Sequence, residues 1–451
     1  MSDLSVPQGR AQGFGGLTSL PAEGPPAIPE AKLAIEQWTT PQGTRVLFVA
    51  ASHLPMLDLK LRFDAGSAHD GPHPGLAAVT LEMIDQGSMR FTGKQIAEKL
   101  EALGCELSRA SRAEHSTLSL RCLSSVDLRE QAIDLLSDIV GRPLLANEQL
   151  QEARRKWRDT LSQRQQHPVF ALRQALFDQL YGLHPYATHY LGGSLREIDA
   201  ISSQQVVDFY HRAYSAQNLS ITLVGDLTRA EAERLALEIS HVLPNADFTH
   251  GLHSPAENVA QSVHIERPGT NCWAGLALPV EAEDADRPAL TAAMHILVGG
   301  SQSRLPRALR GRHGTSYSVQ GGIIRNRFAE TFTVQWDVAP ERVQASQALA
   351  AQVIAEFIES GPSASELSLT QEAIASEWLR QSASNAALAH ELNNTARFTS
   401  DPARTLSQRW EQLRNLNTED LRTVLGRCLS PRRMVRASVG PSATQQALPD
   451  Q

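Results

Sequence analysis

The sequence is poor in cysteine and has no paired cysteine motif. Its four cysteines are Cys105, Cys122, Cys272 and Cys428, and none forms a CxxC spacing. That removes cysteine-built zinc sites and dithiol redox motifs. Cys105 and Cys122 flank an expected hairpin and can face each other, so a disulfide and two free thiols are both open there. No apolar run is long enough for a membrane-spanning helix, and no membrane insertion is expected. Basic charge is not in excess: 42 Lys and Arg stand against 49 Asp and Glu, a formal net charge of -7. The arginines are scattered among acids and leave no basic stripe for nucleic acid. No Gly-x-Ser-x-Gly elbow and no phosphate loop occur, so serine-hydrolase and nucleotide-enzyme readings have no foothold. The opening stretch lacks the apolar core of a signal peptide.

What is present fits an ordinary folded protein. Of 451 residues, 41% are apolar and 20% charged, and such a length suggests two to four domains. Residues 1–30, rich in Pro and Gly, read as a flexible arm. Residues 33–49 read as a strand pair around Pro-Gln-Gly, and LDLKLRF alternates as a half-buried strand. Helices are expected over residues 75–88 and 92–103, the second with Thr92 as N-cap and Gly104 as terminator. CELSRASRAEHSTLSLRCL reads as a hairpin. Helices follow from residue 127, then over 147–166 and, after Pro168, 169–180. NLSITLVGDL, residues 218–227, is a central strand.

Residues 241–260 lose periodicity and read as a linker. Beyond it the plan repeats. CWAGLALPV is a strand, ALTAAMHILVGG a buried helix, FAETFTVQWDV part of a second hairpin, and MVRASVG stands where NLSITLVGD stood. The expected fold class is therefore α+β with two homologous lobes, residues 31–240 and 261–447. Each is a mostly antiparallel sheet with helices packed on one face.

Four stretches together carry a family resemblance: FDAGSAHDGPHPGLAAVTLEMIDQGS, HPYATHYLGGSLREIDAIS, NLSITLVGDL and GGSQSRLPRALRGRHGTSYSV. In them the sequence resembles the M16 zinc peptidases, the group that includes pitrilysin, insulin-degrading enzyme and mitochondrial processing peptidase. The resemblance implies the M16/LuxS-like metallohydrolase fold. Active members carry an inverted His-x-x-Glu-His motif after a Gly-Leu-Ala, which here is Gly75-Leu76-Ala77. Two histidines hold zinc and the glutamate is the base on the bound water. Aligned so, the first histidine falls at Ala78, the base at Leu81 and the second histidine at Glu82. None of these three groups is retained, and an apolar Leu81 transfers no proton. A third ligand, a glutamate, falls at Thr160 or within a residue or two of it, with Glu152 also near on the same helix. The chain is expected to hold no metal or cofactor and to have no catalytic residue of its own.

Other histidines offer no substitute. His69 and His73 lie in AHDGPHPG, whose Gly and Pro argue against a helical ligand pair. His184 and His189 lie in HPYATHY, where His184 reads as ordering a loop. In RALRGRHGTSYSV, by contrast, Arg310 and Tyr317 flank a glycine-bearing turn. The resemblance assigns such a pair to holding substrate backbone and polarised carbonyl opposite the zinc. A guanidinium offers fixed donors, and a phenol donates to a developing oxyanion. Arg304 reads either as structural support or as a channel-lining charge. What the resemblance implies is a non-catalytic subunit of a heterodimeric metallopeptidase. Its partner is a zinc-containing paralogous subunit, its substrate a peptide or unfolded polypeptide, and its expected compartment the periplasm, with the cytoplasm as alternative. A peptide-binding or scaffold protein without a catalytic partner is the second reading.

Overall fold

The computed structural model describes residues 34–188, 192–249, 251–312 and 316–448. The expected arm of residues 1–30 and His189 lie outside the described residues.

Strands β1 (Ile35–Thr39) and β2 (Arg45–Ala50) form a hairpin whose turn needs Gly43 at φ 89°. With β3 (Met56–Phe63), β4 (Glu106–Ser111), β5 (Ser116–Leu123) and β6 (Leu219–Gly225) they make a sheet ordered β1-β2-β6-β3-β5-β4. Only β2 and β6 run parallel. A second sheet contains β7 (Ser262–Glu266), β8 (Cys272–Pro279), β9 (Val319–Arg325), β10 (Glu330–Val338) and β11 (Val435–Gly440), ordered β7-β11-β8-β10-β9. Here too one pair, β7 with β11, is parallel. The two orders superimpose strand for strand, β2-β6-β3-β5-β4 on β7-β11-β8-β10-β9, so the repeat read from element order is real. Among the described residues the first sheet has one extra strand, β1.

Each sheet packs its own lobe's helices on one face. In β3 the odd residues Leu57, Leu59, Leu61 and Phe63 join the first core, as do Val46 and Phe48 of β2. Strand periodicity then sends Leu47 and Val49 to the other face, and that face is also covered. Helix α5 (Asn385–Thr395), from the second half of the chain, buries Leu388, Ala389 and Leu392 on Leu47, Val49 and Val224. The converse holds for the second sheet. Helix α3 (Pro168–Tyr181), from the first half, buries Leu172, Ala175, Leu176 and Leu180 on Ala277, Val435, Ala437 and Val439. The one-faced packing expected from sequence is thus completed by an exchange of helices between halves. Each fully buried leucine in these layers contributes about 1.5–3 kcal/mol.

Charged groups bridge the halves as well. Glu114, in the β4–β5 turn, accepts from Arg397 Nη2 at 2.7 Å, from the Arg327 backbone N–H at 2.8 Å and from the Tyr186 hydroxyl. Arg327 Nη2 reaches Asp64 at 3.0 Å, and Arg62 Nη1 donates to the Asn393 carbonyl of α5. Burial lowers the Arg62 pKa to about 10 and lowers that of Arg397.

Candidate functional site

The segment that would carry a zinc motif begins at a buried turn. Asp70 accepts from the Gly75 N–H at 2.6 Å and the Ala77 N–H at 2.7 Å, supplying acceptors to the free donors that open helix α1 (Leu76–Met83). Burial pushes the Asp70 carboxyl up to about 7, against the pull of those two donors. Gly75 sits at φ 95°, and a Cβ there would lie 2.5 Å from the Gly192 carbonyl oxygen. Only glycine fits. The helix is shorter than the periodicity predicts, because a turn from Gln86 N to Met83 O closes it before Gly87.

On α1, Ala78 and Leu81 are buried, Leu81 in the first core, and neither carries a ligand atom. Glu82 faces cations instead. Arg109 Nη2 lies 2.7 Å from it and Lys156 Nζ 3.9 Å, while Arg109 also pairs with Asp85. Lys156 and Thr160 belong to helix α2 (Asn147–Gln166), which packs on α1. The Thr160 hydroxyl donates to the Lys156 carbonyl of its own helix at 3.0 Å. These residues do not fit a zinc ion. The one carboxylate among the four positions, Glu82, is engaged by Arg109 and Lys156, and Ala78 and Leu81 bring no ligand atom to it. Among the described residues, no group of three or more His, Cys, Asp or Glu gathers to hold a metal. His73 meets Gln205 Nε2, and His69 stacks edge-on to Phe248. His184 accepts from Tyr186 N and bonds the His253 carbonyl at 2.8 Å, the loop-ordering role that its sequence context suggests. All four cysteines are free thiols.

The second lobe presents its polar pair outward. Helix α4 (Arg287–Val298) ends at Gly299, and a π-helical turn (Arg307–Arg312) exposes Arg310. Such turns recur at functional sites. Tyr317 is 86% exposed. Its backbone, however, is fixed: Asp337 Oδ1 on β10 accepts from Ser316 Oγ at 2.9 Å, Tyr317 N at 3.1 Å and Ser318 N at 2.8 Å. Asp337 was not legible as a partner, lying 20 residues away across the β9–β10 hairpin. Arg304, in contrast, is a support. It makes a two-pronged pair with Glu366, both distances 2.8 Å, and lies 4.5 Å over the Phe357 ring. Those bonds hold the Glu366 carboxyl down at about 2.

Residues 45–194 match the Insulinase (Peptidase family M16) family, and residues 200–374 match the Peptidase M16 inactive domain. A structure of a peptidase M16 inactive domain from Pseudomonas fluorescens superimposes with a TM-score of 0.87 at 32% identity, covering 92% of this chain and 100% of that one. An uncharacterised zinc protease of Mycobacterium tuberculosis is 24% identical over 446 residues, 94% of this chain and 98% of its own length. The periplasmic protease PqqL from Escherichia coli shares the fold, with a TM-score of 0.74 at 15% identity over 90% of this chain and 45% of its own. At 32% identity to the Pseudomonas fluorescens domain over 92% of its length, and with its second half matching that family's inactive domain, the chain belongs to the M16 peptidase family.

Proposed function

We propose that this chain is the non-catalytic subunit of a two-chain M16-like peptidase, lending Arg310 and Tyr317 to the active site of a zinc-bearing paralogue. The observation that carries the reading is the contrast around Tyr317. Its ring is in solvent while three hydrogen bonds to Asp337 hold its backbone. A held aromatic with an exposed phenol suits a partner's substrate better than this chain's own core. Arg310, exposed on the adjoining turn, supplies forked donors to a peptide carbonyl. The Tyr317 phenol donates to the oxygen on which negative charge develops as that carbonyl is attacked. Zinc, the attacking water and its base belong to the partner, and the substrate is a peptide or unfolded polypeptide. The likeness to a periplasmic protease supports the periplasm as compartment, with the cytoplasm as alternative.

The test is cleavage of an unstructured peptide library by this chain, by a zinc-motif paralogue, and by the two mixed. Cleavage only in the mixture, falling about a hundredfold with Arg310→Ala or Tyr317→Phe, is the expected result. Chelator-sensitive cleavage by this chain alone overturns the reading. Peptide binding without cleavage in any combination moves the assignment to a peptide-binding scaffold.

A further inference from the structure

The two sheets differ at one edge. In the first, β1 pairs with β2, with Ile35 opposite Val49 and Gln37 opposite Leu47. Aligning the strand-end glycines Gly225 and Gly440 places Leu47 and Val49 on Val263 and Ile265 of β7. Among the described residues the second sheet has no counterpart of β1, and β7 is its edge strand. Arg436 N donates to Gln261 O and Arg267 N to Gly440 O. In a parallel ladder this turns the backbone groups of residues 261, 263, 265 and 267 toward β11. Ser262, His264 and Glu266 turn their N–H and C=O groups to the open side.

The face of β7 is open too. In the first lobe Ile35 of β1 packs with Leu47 and Val49 under α5. In the second, α3 leaves a groove of about 1000 Å³ beside Val263 and Ile265, walled by Phe170, Gln174 and the linker residue Val259. Val263 and Val259 are exposed, as is Leu183 at the end of the groove. An added strand would hydrogen bond to β7 through its backbone. Every second side chain would then enter this groove, as Ile35 enters its own.

The geometry points to the β7 edge as a binding site for an extended polypeptide segment, added antiparallel to β7 with apolar residues opposite Val263 and Ile265. The occupant is argued from β1, which shows what fills this place when the lobe supplies its own strand. Main-chain bonds give affinity and the groove selects side chains. The site is separate from Arg310 and Tyr317 and stands whether or not they serve a partner.

The probe is a short fluorescein-labelled peptide of alternating valine with threonine or lysine, followed by anisotropy. His264→Pro removes an outward N–H and leaves the ladder to β11 intact, a substitution edge strands accept. Val263→Lys keeps the backbone and charges the groove, which covers a folding defect in the first variant. Expected are binding by the native chain and a loss of about tenfold in each variant, the scale of one or two hydrogen bonds or one apolar contact. The same peptide N-methylated at alternate residues fails to bind, and hydrogen exchange slows at His264 and Glu266. Arg310→Ala with Tyr317→Phe leaves this binding unchanged. Equal binding by native chain and both variants, no binding at all, loss with the Arg310 and Tyr317 changes instead, or self-association through β7 in place of peptide capture each overturns the assignment.

Discussion

Removing the Glu114 carboxylate tests whether the two halves are held by charge as well as by helix exchange. Glu114 serves Arg397, the Arg327 N–H and the Tyr186 hydroxyl, and the Glu114 and Arg397 side chains are only 9% and 12% exposed. Glu114→Ala leaves Asp64 as the carboxylate among three guanidinium groups, Arg62, Arg327 and Arg397. Breaking one partner of a buried pair costs about 3–5 kcal/mol, and each orphaned donor adds on the order of 1 kcal/mol. With two donors orphaned, the Arg327 N–H and the Tyr186 hydroxyl, the expected loss is about 5–7 kcal/mol, a large part of the roughly 5–15 kcal/mol that holds a typical domain. Glu114→Gln keeps acceptors for Tyr186 and Arg327 and loses about half as much. Urea unfolding followed by circular dichroism reads both, and salt changes the losses little because the pair is shielded from solvent. Adding Arg397→Met to Glu114→Ala restores stability, since the stranded cation is then gone. A loss below about 1 kcal/mol for Glu114→Ala, or a double variant weaker than the single one, refutes the argument.

Asp70 makes stability depend on pH. Its folded pKa, about 7, lies above the ordinary 3.8. The carboxyl is therefore more readily protonated in the folded chain, and its contribution is full below about pH 4 and lost as pH rises through 7, up to about 4 kcal/mol. The advantage of the native chain over Asp70→Asn shrinks between pH 5 and 8 in urea unfolding, and an advantage that widens contradicts the sign. Asp337→Ala frees the Tyr317 backbone while leaving the phenol in place. It lowers cleavage by the mixed subunits about tenfold without changing peptide capture at β7, and unchanged cleavage counts against the clamp. Iodoacetamide labels Cys105 first, because Cys122, Cys272 and Cys428 are buried and Cys105 is only partly so. Equal labelling of Cys122, read by peptide mass, shows the hairpin to be open.

Much of the fold was legible because its elements are locally consistent. The polar helix α2 was read over residues 147–166, its full extent, from its periodicity and the Pro168 that follows. Thr92 caps the helix Gly93–Ala102 with a capping box, a signal readable at fixed spacing. The helix exchange was not legible. A helix with an apolar face does not name the sheet it packs on, and a strand buried on both faces, such as β6, gives only a continuous apolar run. At the site the loss of ligands could be read by alignment, since it concerns residue identity. The Arg109 and Lys156 charges that occupy Glu82, and the Asp337 clamp, come from distant segments brought together by tertiary packing.

The helix exchange also decides what a cut in the chain can do. The described residues between 242 and 261 form no helix or strand, yet they are not the only tie between the halves. Each half, taken alone, would expose one apolar sheet face and an unburied helix, and so would be a poor soluble protein. Together they supply each other's missing layer, as exchanged elements do in swapped dimers. A nick in the linker therefore leaves a non-covalent complex rather than two free domains. The two halves made as separate polypeptides assemble into one particle only when made together.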